Sequence, residues 1–255
     1  MLQEIKMLLP TFSLLLLCIS SAISVKNDDP NYAERKRLTE NLLSKSEAPH
    51  MQLRPPTPTG TPLNVTVNIY IRDIYDIDED RNRFTVQLTM RQEWTDNRLA
   101  YTPTSADFKY FLFENIGHDG PPNIWIPDTF FREEISAFDH RLPHFNQLLR
   151  IYPDGHLLHS KRITVELHCS TLKNVKEYDC PITLASYMYP TSDLNLYWRE
   201  LDAYQIWGGA ATDLQGVYLK NVTTNSCTRK TLLGDWPCLD MTLTFNHHLY
   251  ECPSS

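Results

Sequence analysis

Beyond its first two dozen positions the chain has no apolar run near the ~20 residues that a membrane-spanning helix needs. Lysine and arginine form no cluster or stripe and the net charge is −7. That argues against a nucleic acid partner, whose phosphates are met by grouped cations. No G-x-S-x-G, no H-E-x-x-H and no glycine-rich phosphate loop occurs, so an enzyme would lack a recognisable nucleophile, base or cradle. Zinc-ligand spacing is missing too. His247 and His248 are adjacent and would face opposite sides of a strand, while His159 and His168 sit on separate elements. The acidic run Asp73 to Asp80 lacks the glycine and terminal glutamate of a calcium loop and reads as a solvated turn. No metal and no cofactor is expected, and no internal repeat is evident.

What is present begins with an apolar stretch from Met7 to Ile19, preceded by Lys6 and followed by the small residues around Ala22 and Ser24. It is too short to span a bilayer and is expected to be a secretory signal peptide over residues 1–24. Roughly 230 residues remain, which bury on the order of 70% of their unfolded surface, enough for one domain with its own core. As written, the chain is expected to be secreted; the alternative is that the sequence is incomplete and membrane helices follow Ser255, which would hold this part at the outer face of the plasma membrane. Setting aside Cys18, the local cysteine pairs are Cys169 with Cys180 and Cys227 with Cys238, with Cys252 left over. Such bonds persist in oxidising compartments. Asn64-Val65-Thr66 and Asn221-Val222-Thr223 are glycosylation sequons.

Periodicity sets the fold class. Leu38, Leu42 and Leu43 fall at helical spacing within Glu34 to Ser46, so residues 25–52 are expected to hold a short helix and its linker. Arg54-Pro55-Pro56 through Pro62 cannot be helical. From Leu63 the period becomes two: Val65, Val67, Ile69 and Ile71 alternate with Thr66, Asn68, Tyr70 and Arg72. Arg72 therefore points away from the core. Phe84 to Met90 repeats the pattern against Thr85, Gln87, Thr89 and Arg91, and further alternation marks Ile163 to Leu167 and Leu239 to Phe245. Short strands, turns such as Pro153-Asp154-Gly155 and no second helical run predict an all-β, antiparallel β-sandwich over residues 53–250, with a tail at 251–255.

Four motifs then stand in order: WTDNRL from Trp94, IWIPDTFF from Ile124, LLRIYPDG from Leu148 and LASYMYP from Leu184. Together they resemble the extracellular ligand-binding domain of pentameric Cys-loop receptors, most like glutamate-gated chloride channel subunits. The resemblance covers about Arg54 to Phe245. It implies an immunoglobulin-like sandwich of about ten strands with an N-terminal helix, a ring of five homologous or related subunits, and a small transmitter held between neighbours. It implies no enzyme. Trp94 and Trp125 read as core or turn residues that identify the family without touching ligand.

The resemblance also carries a site. Arg54 and Arg72 match two arginines that grip glutamate's carboxylates from one subunit, with Ser160 beside them, and guanidinium forks suit carboxylates. Phe130, Ser186, Tyr187 and Trp236 match the other subunit's face, where aromatic rings stabilise an ammonium group. Leu233 replaces a threonine and Trp207 stands about where a lysine sits in glutamate-binding members. The Cys169 to Cys180 loop is shorter than the family's and lacks its proline turn, and FNHHLYECPSS lacks the arginine before the first membrane helix. These departures favour, as the alternative, a modulatory or interaction subunit that joins full-length receptors. Membrane contact is expected only through a following channel domain or such a partner.

Overall fold

The computed structural model describes residues 30–46, 48–103, 108–114, 124–169, 177–210, 214 and 216–247. The expected signal peptide, Cys252, His248 and the C-terminal tail lie outside them, as does most of the interior of the Cys169 to Cys180 loop. A single α-helix, α1 (Pro30–Ser46), precedes twelve strands among the described residues: β1 (Leu63–Asp78), β2 (Arg83–Thr95), β3 (Phe111–Glu114), β4 (Thr129–Phe131), β5 (Glu134–Asp139), β6 (Gln147–Ile151), β7 (His156–His168), β8 (Glu177–Ser186), β9 (Leu194–Trp198), β10 (Tyr204–Ile206), β11 (Val217–Thr231) and β12 (Gly234–His247). The count exceeds ten because β9 and β10 are two short pieces lying end to end along β1, and β5 and β6 do the same along β7.

Two sheets form the sandwich. The larger runs β10-β1-β2-β7-β6-β3 with β5 and β9 joined at its edges; the smaller runs β11-β12-β8-β4. Pairing is antiparallel except at one edge, where β9 and β10 run parallel to β1. The period-two pattern decides what is inside: Val65, Val67, Ile69, Ile71, Phe84, Val86 and Leu88 are fully buried and face Ile182, Leu184, Leu239, Leu243 and Phe245 of the smaller sheet. Each such side chain contributes roughly 1.5–3 kcal/mol by leaving water. Their alternating partners make the outer face of the large sheet polar.

The helix docks by one stripe. Glu34, Leu38 and Leu42, one turn apart, are buried. Arg37 neutralises Glu34 (Nη2–Oε1 2.8 Å) and also reaches the Thr102 carbonyl (3.1 Å). The WTDNRL motif anchors the linker. Asp96 is fully buried, accepts three bonds from Arg98, and Arg98 in turn donates to the His50 and Leu53 carbonyls (2.7 and 2.9 Å). Trp94 packs edge-on to Trp125 at 5.9 Å, and Trp125 donates its indole N–H to the Tyr189 hydroxyl (3.0 Å). Both tryptophans are core. Gly155 closes the turn before β7 at φ +84°, where a Cβ would lie 2.7 Å from the Asp96 carbonyl oxygen. Both disulfides form, Cys169–Cys180 and Cys227–Cys238, the second joining cross-strand partners of β11 and β12.

Candidate functional site

Two regions carry the chemistry, one on each sheet. On the outer face of the large sheet, Tyr70 and Arg72 of β1 stand beside Thr89 and Arg91 of β2, and Arg91 is the cross-strand partner of Ser160 on β7. Both guanidinium groups lie over the Tyr70 ring, Arg72 at 5.2 Å and Arg91 at 5.8 Å. Arg72 donates from Nε to the buried Thr89 hydroxyl (2.8 Å), and Arg91 donates from Nη1 to Asn68 Oδ1 (2.7 Å). A cavity of about 300 Å³ opens here, lined by Arg72, Thr89, Ser160 and Arg162 together with Phe145 and Gln147 among others. Arg162 is held by neutral oxygens as well, Gln87 Oε1 at 2.5 Å and Asn146 Oδ1 at 3.2 Å.

The arginines among the described residues divide into those paired with a carboxylate and those that are not, and this face gathers three of the second kind. Arg37, Arg54, Arg83, Arg98 and Arg199 each pair with a carboxylate. Among the described residues no carboxylate pairs with Arg72, Arg91 or Arg162. Burial, then the nearby Arg199 and Arg72 cations, pull the Arg91 guanidinium below its ordinary value. It stays charged, because a guanidinium is not deprotonated in a protein. A partly buried cation with no carboxylate bonded to it is what an incoming carboxylate would complete.

Arg54 is elsewhere. Its Nη2 pairs with Asp193 Oδ1 at 3.2 Å, and the Asp193 carbonyl accepts the Leu63 amide at the start of β1. Arg72 lies nine residues further along the same strand, roughly 30 Å of extended chain at ~3.3 Å per residue. The structure therefore does not bring Arg54 to Arg72; the proline-stiffened linker docks Arg54 at the far end of the strand. The arginine that does join Arg72 is Arg91. Its signal was in the alternation of β2, which sets Arg91 on the outward side with Thr89 and Gln87, opposite the polar side of β1.

The second region lies at the edge of the small sheet. Asp128 organises it: Oδ1 accepts the Ser186 hydroxyl (2.7 Å) and Oδ2 the Met188 amide (2.5 Å), while the Ser186 hydroxyl accepts the Tyr189 amide (3.0 Å). Ser186 is buried and occupied in shaping this turn. Tyr187 is thrown outward, 75% exposed, with its ring edge-on to the exposed Phe130 at 5.8 Å. The β11–β12 hairpin is tied to the same turn by the Thr191 amide donating to the Asp235 carbonyl (2.9 Å). At its tip Trp236 donates to Thr231 Oγ1 (3.0 Å), leaving Leu232 and Leu233 wholly in solvent. None of Phe130, Tyr187 and Trp236 lines the cavity at Arg72. Within one copy the aromatic group and the arginine group are separate surfaces.

Trp207 is exposed and its amide donates to the Ile71 carbonyl, so it borders Arg72 along β1. In the acidic turn Asp78 Oδ1 accepts the Asp80 and Arg81 amides (3.0 and 2.9 Å), Oδ2 faces Arg81 and Arg83, and Glu79 meets His247 of β12 at 3.5 Å. Among the described residues no helix is long and apolar enough to cross a membrane.

With this geometry in place, comparison with known proteins is decisive for the family. The neurotransmitter-gated ion-channel ligand binding domain matches residues 35–249, and the chain belongs to that family, one of ligand-gated channel subunits and not of enzymes. It is 34% identical over 241 residues to the glutamate-gated chloride channel subunit beta of Haemonchus contortus, covering 86% of this chain and 52% of that protein. It is 31% identical over 235 residues to a glutamate-gated chloride channel of Drosophila melanogaster, covering 89% and 49%. A human gamma-aminobutyric acid receptor subunit rho-2 is 36% identical over 148 residues, 56% of this chain and 30% of the receptor. The chain spans about half the length of the two channel subunits it matches.

Proposed function

We propose that this domain binds a small amino-acid transmitter of the glutamate type at the junction between two copies, or between this chain and a related subunit, in a ring. Arg72 and Arg91, with Ser160 and Arg162 beside them, receive carboxylate from one side; Phe130, Tyr187 and Trp236 of the neighbour cup the ammonium, with Ser186 shaping their turn. The carrying observation is the pair of guanidinium groups over Tyr70 that have no carboxylate of their own. Separation of the two groups within one copy supports a shared site, since a head-to-tail contact brings unlike faces together and closes as a ring. Two formed disulfides support an extracellular setting. The exposed Asn64 and Asn221 are the proposed glycan carriers.

Calorimetric titration of the purified assembly with L-glutamate and with L-glutamine tests the charge recognition. Glutamate should bind roughly tenfold more tightly, because bonds to a charged partner contribute about 1.5–3 kcal/mol against about 0.5–1.5 for neutral ones. Equal affinities would contradict it.

A second function has specific support. Leu232 and Leu233 form a fully exposed apolar tip, and Trp207, whose amide bonds the Ile71 carbonyl at the edge of the large sheet, exposes a second apolar side chain. Both suit a subunit that contributes contacts to an assembly instead of a complete site. Finding the chain monomeric by light scattering, and assembling only with a related receptor subunit, would favour that role.

A further inference from the structure

The segment between β9 and β10 folds over the edge of β1 and builds a polar cluster behind Arg91. Arg199 grips Asp202 with two bonds (Nε–Oδ1 2.5 Å, Nη2–Oδ2 2.6 Å) and reaches Glu93 Oε1 at 3.0 Å. His156 Nε2 meets the other Glu93 oxygen at 3.2 Å. The hydrogen bond from His156, followed by the Arg199 charge, holds the Glu93 carboxyl below its usual range. Gln205 donates its amide to Asp202 Oδ2 at 3.2 Å. Glu93 and Asp202, the acidic groups of this cluster, are thus occupied by Arg199, His156 and Gln205.

Arg91 meets only neutral oxygens there, Asn68 Oδ1 at 2.7 Å and Gln205 Oε1 at 3.5 Å. Asn68 is 1% exposed, and its amide nitrogen donates to the Asp202 backbone carbonyl. A carboxamide has one accepting and one donating end. Held between a carbonyl and a guanidinium, Asn68 can sit only one way round. It aims Arg91 at the Tyr70 ring without cancelling its charge.

We infer that Asn68 is a positioning residue for the ligand site, and that with Gln205 it supplies neutral acceptors that orient Arg91 while keeping its charge available to a ligand carboxylate. This rests on the proposed glutamate site. An acid at either place would form an internal pair with Arg91 and compete with the ligand.

Charge-swap variants in the assembled protein, titrated with L-glutamate, test it. Asn68→Asp carries the sharper change but also removes the donor to the Asp202 carbonyl, and so can fail to fold. Gln205→Glu is the companion, because Gln205 is exposed and tolerates an acid. Repulsion from Asp202 would push the new carboxylate toward Arg91. Gln205→Glu should weaken glutamate binding roughly tenfold, whereas Gln205→Leu, which removes the acceptor without adding charge, should cost less than about threefold. Raised salt should narrow the gap between them. Parent-like affinity in Gln205→Glu, or equal losses in both variants, would overturn the inference while an intact loss in Arg91→Gln left the glutamate site standing. Parent-like affinity in Arg91→Gln would remove the site itself.

Discussion

Removing Arg72, Arg91 and Arg54 one at a time, each to glutamine, separates a ligand-gripping guanidinium from one already spent on the fold. Arg72 and Arg91 have no carboxylate partner among the described residues, whereas Arg54 is paired with Asp193. A hydrogen-bonded contact between a ligand carboxylate and a guanidinium contributes about 1.5–3 kcal/mol, so losing Arg72 or Arg91 should weaken L-glutamate binding about 10- to 150-fold. The double variant should fall short of the product of the two losses, because the side chains share the Tyr70 ring. Arg54→Gln should leave affinity within about twofold and cost at most about 1 kcal/mol of stability, the range for a partly exposed ion pair. Calorimetry reads affinity and thermal melting reads stability on the same samples. A large affinity loss in Arg54→Gln with none in Arg91→Gln would refute this assignment.

Three other outcomes follow from the packing. Burial lowers the His159 imidazole to about 4 from its free value of 6.5. Between those values the unfolded chain takes a proton that the folded chain refuses, so stability is full above about pH 6.5 and falls toward pH 4 by up to roughly 3 kcal/mol. Denaturant curves at pH 7.5 and 5 should show this fall in the parent and less of it in His159→Gln; an unchanged slope in the variant would exclude His159 as the cause. Gly155→Ala should lower the melting temperature by about 4–8 °C, from about 2 kcal/mol of strain at φ +84° against the Asp96 carbonyl; an unchanged melting temperature would refute that contact. Asp128→Ala leaves the Ser186 hydroxyl and Met188 amide without their acceptor, at about 1–3 kcal/mol, and should also weaken ligand binding by freeing Tyr187; intact affinity would show that the turn does not order the site.

Much of the sandwich is legible in the sequence because its physics is local. Alternation in Leu63 to Ile71 and Phe84 to Met90 sorts core from surface without any knowledge of partners. The two disulfides are legible for the same reason, each closing a short segment. The binding residues are less so. Arg91 was visible as an outward side chain on β2, yet only cross-strand register shows that it shares Tyr70 with Arg72. Arg54 misleads because a linker without hydrogen-bond periodicity does not reveal where its arginine lands; Asp193, far away in sequence, decides that. Ser186 was legible as a motif member, but its occupation by Asp128 depends on β4 pairing with β8.

Mixed assembly tests the shared site most directly. One preparation carries Arg72→Gln with Arg91→Gln, and the other carries Phe130→Ala with Tyr187→Ala. Neither alone should bind L-glutamate measurably, and co-assembled in equal amounts they should regain parent-like affinity at about a quarter of the junctions, where two intact faces meet. If the mixture binds no better than its components, or if the arginine variant alone binds as the parent does, the site is not built across two copies in this way.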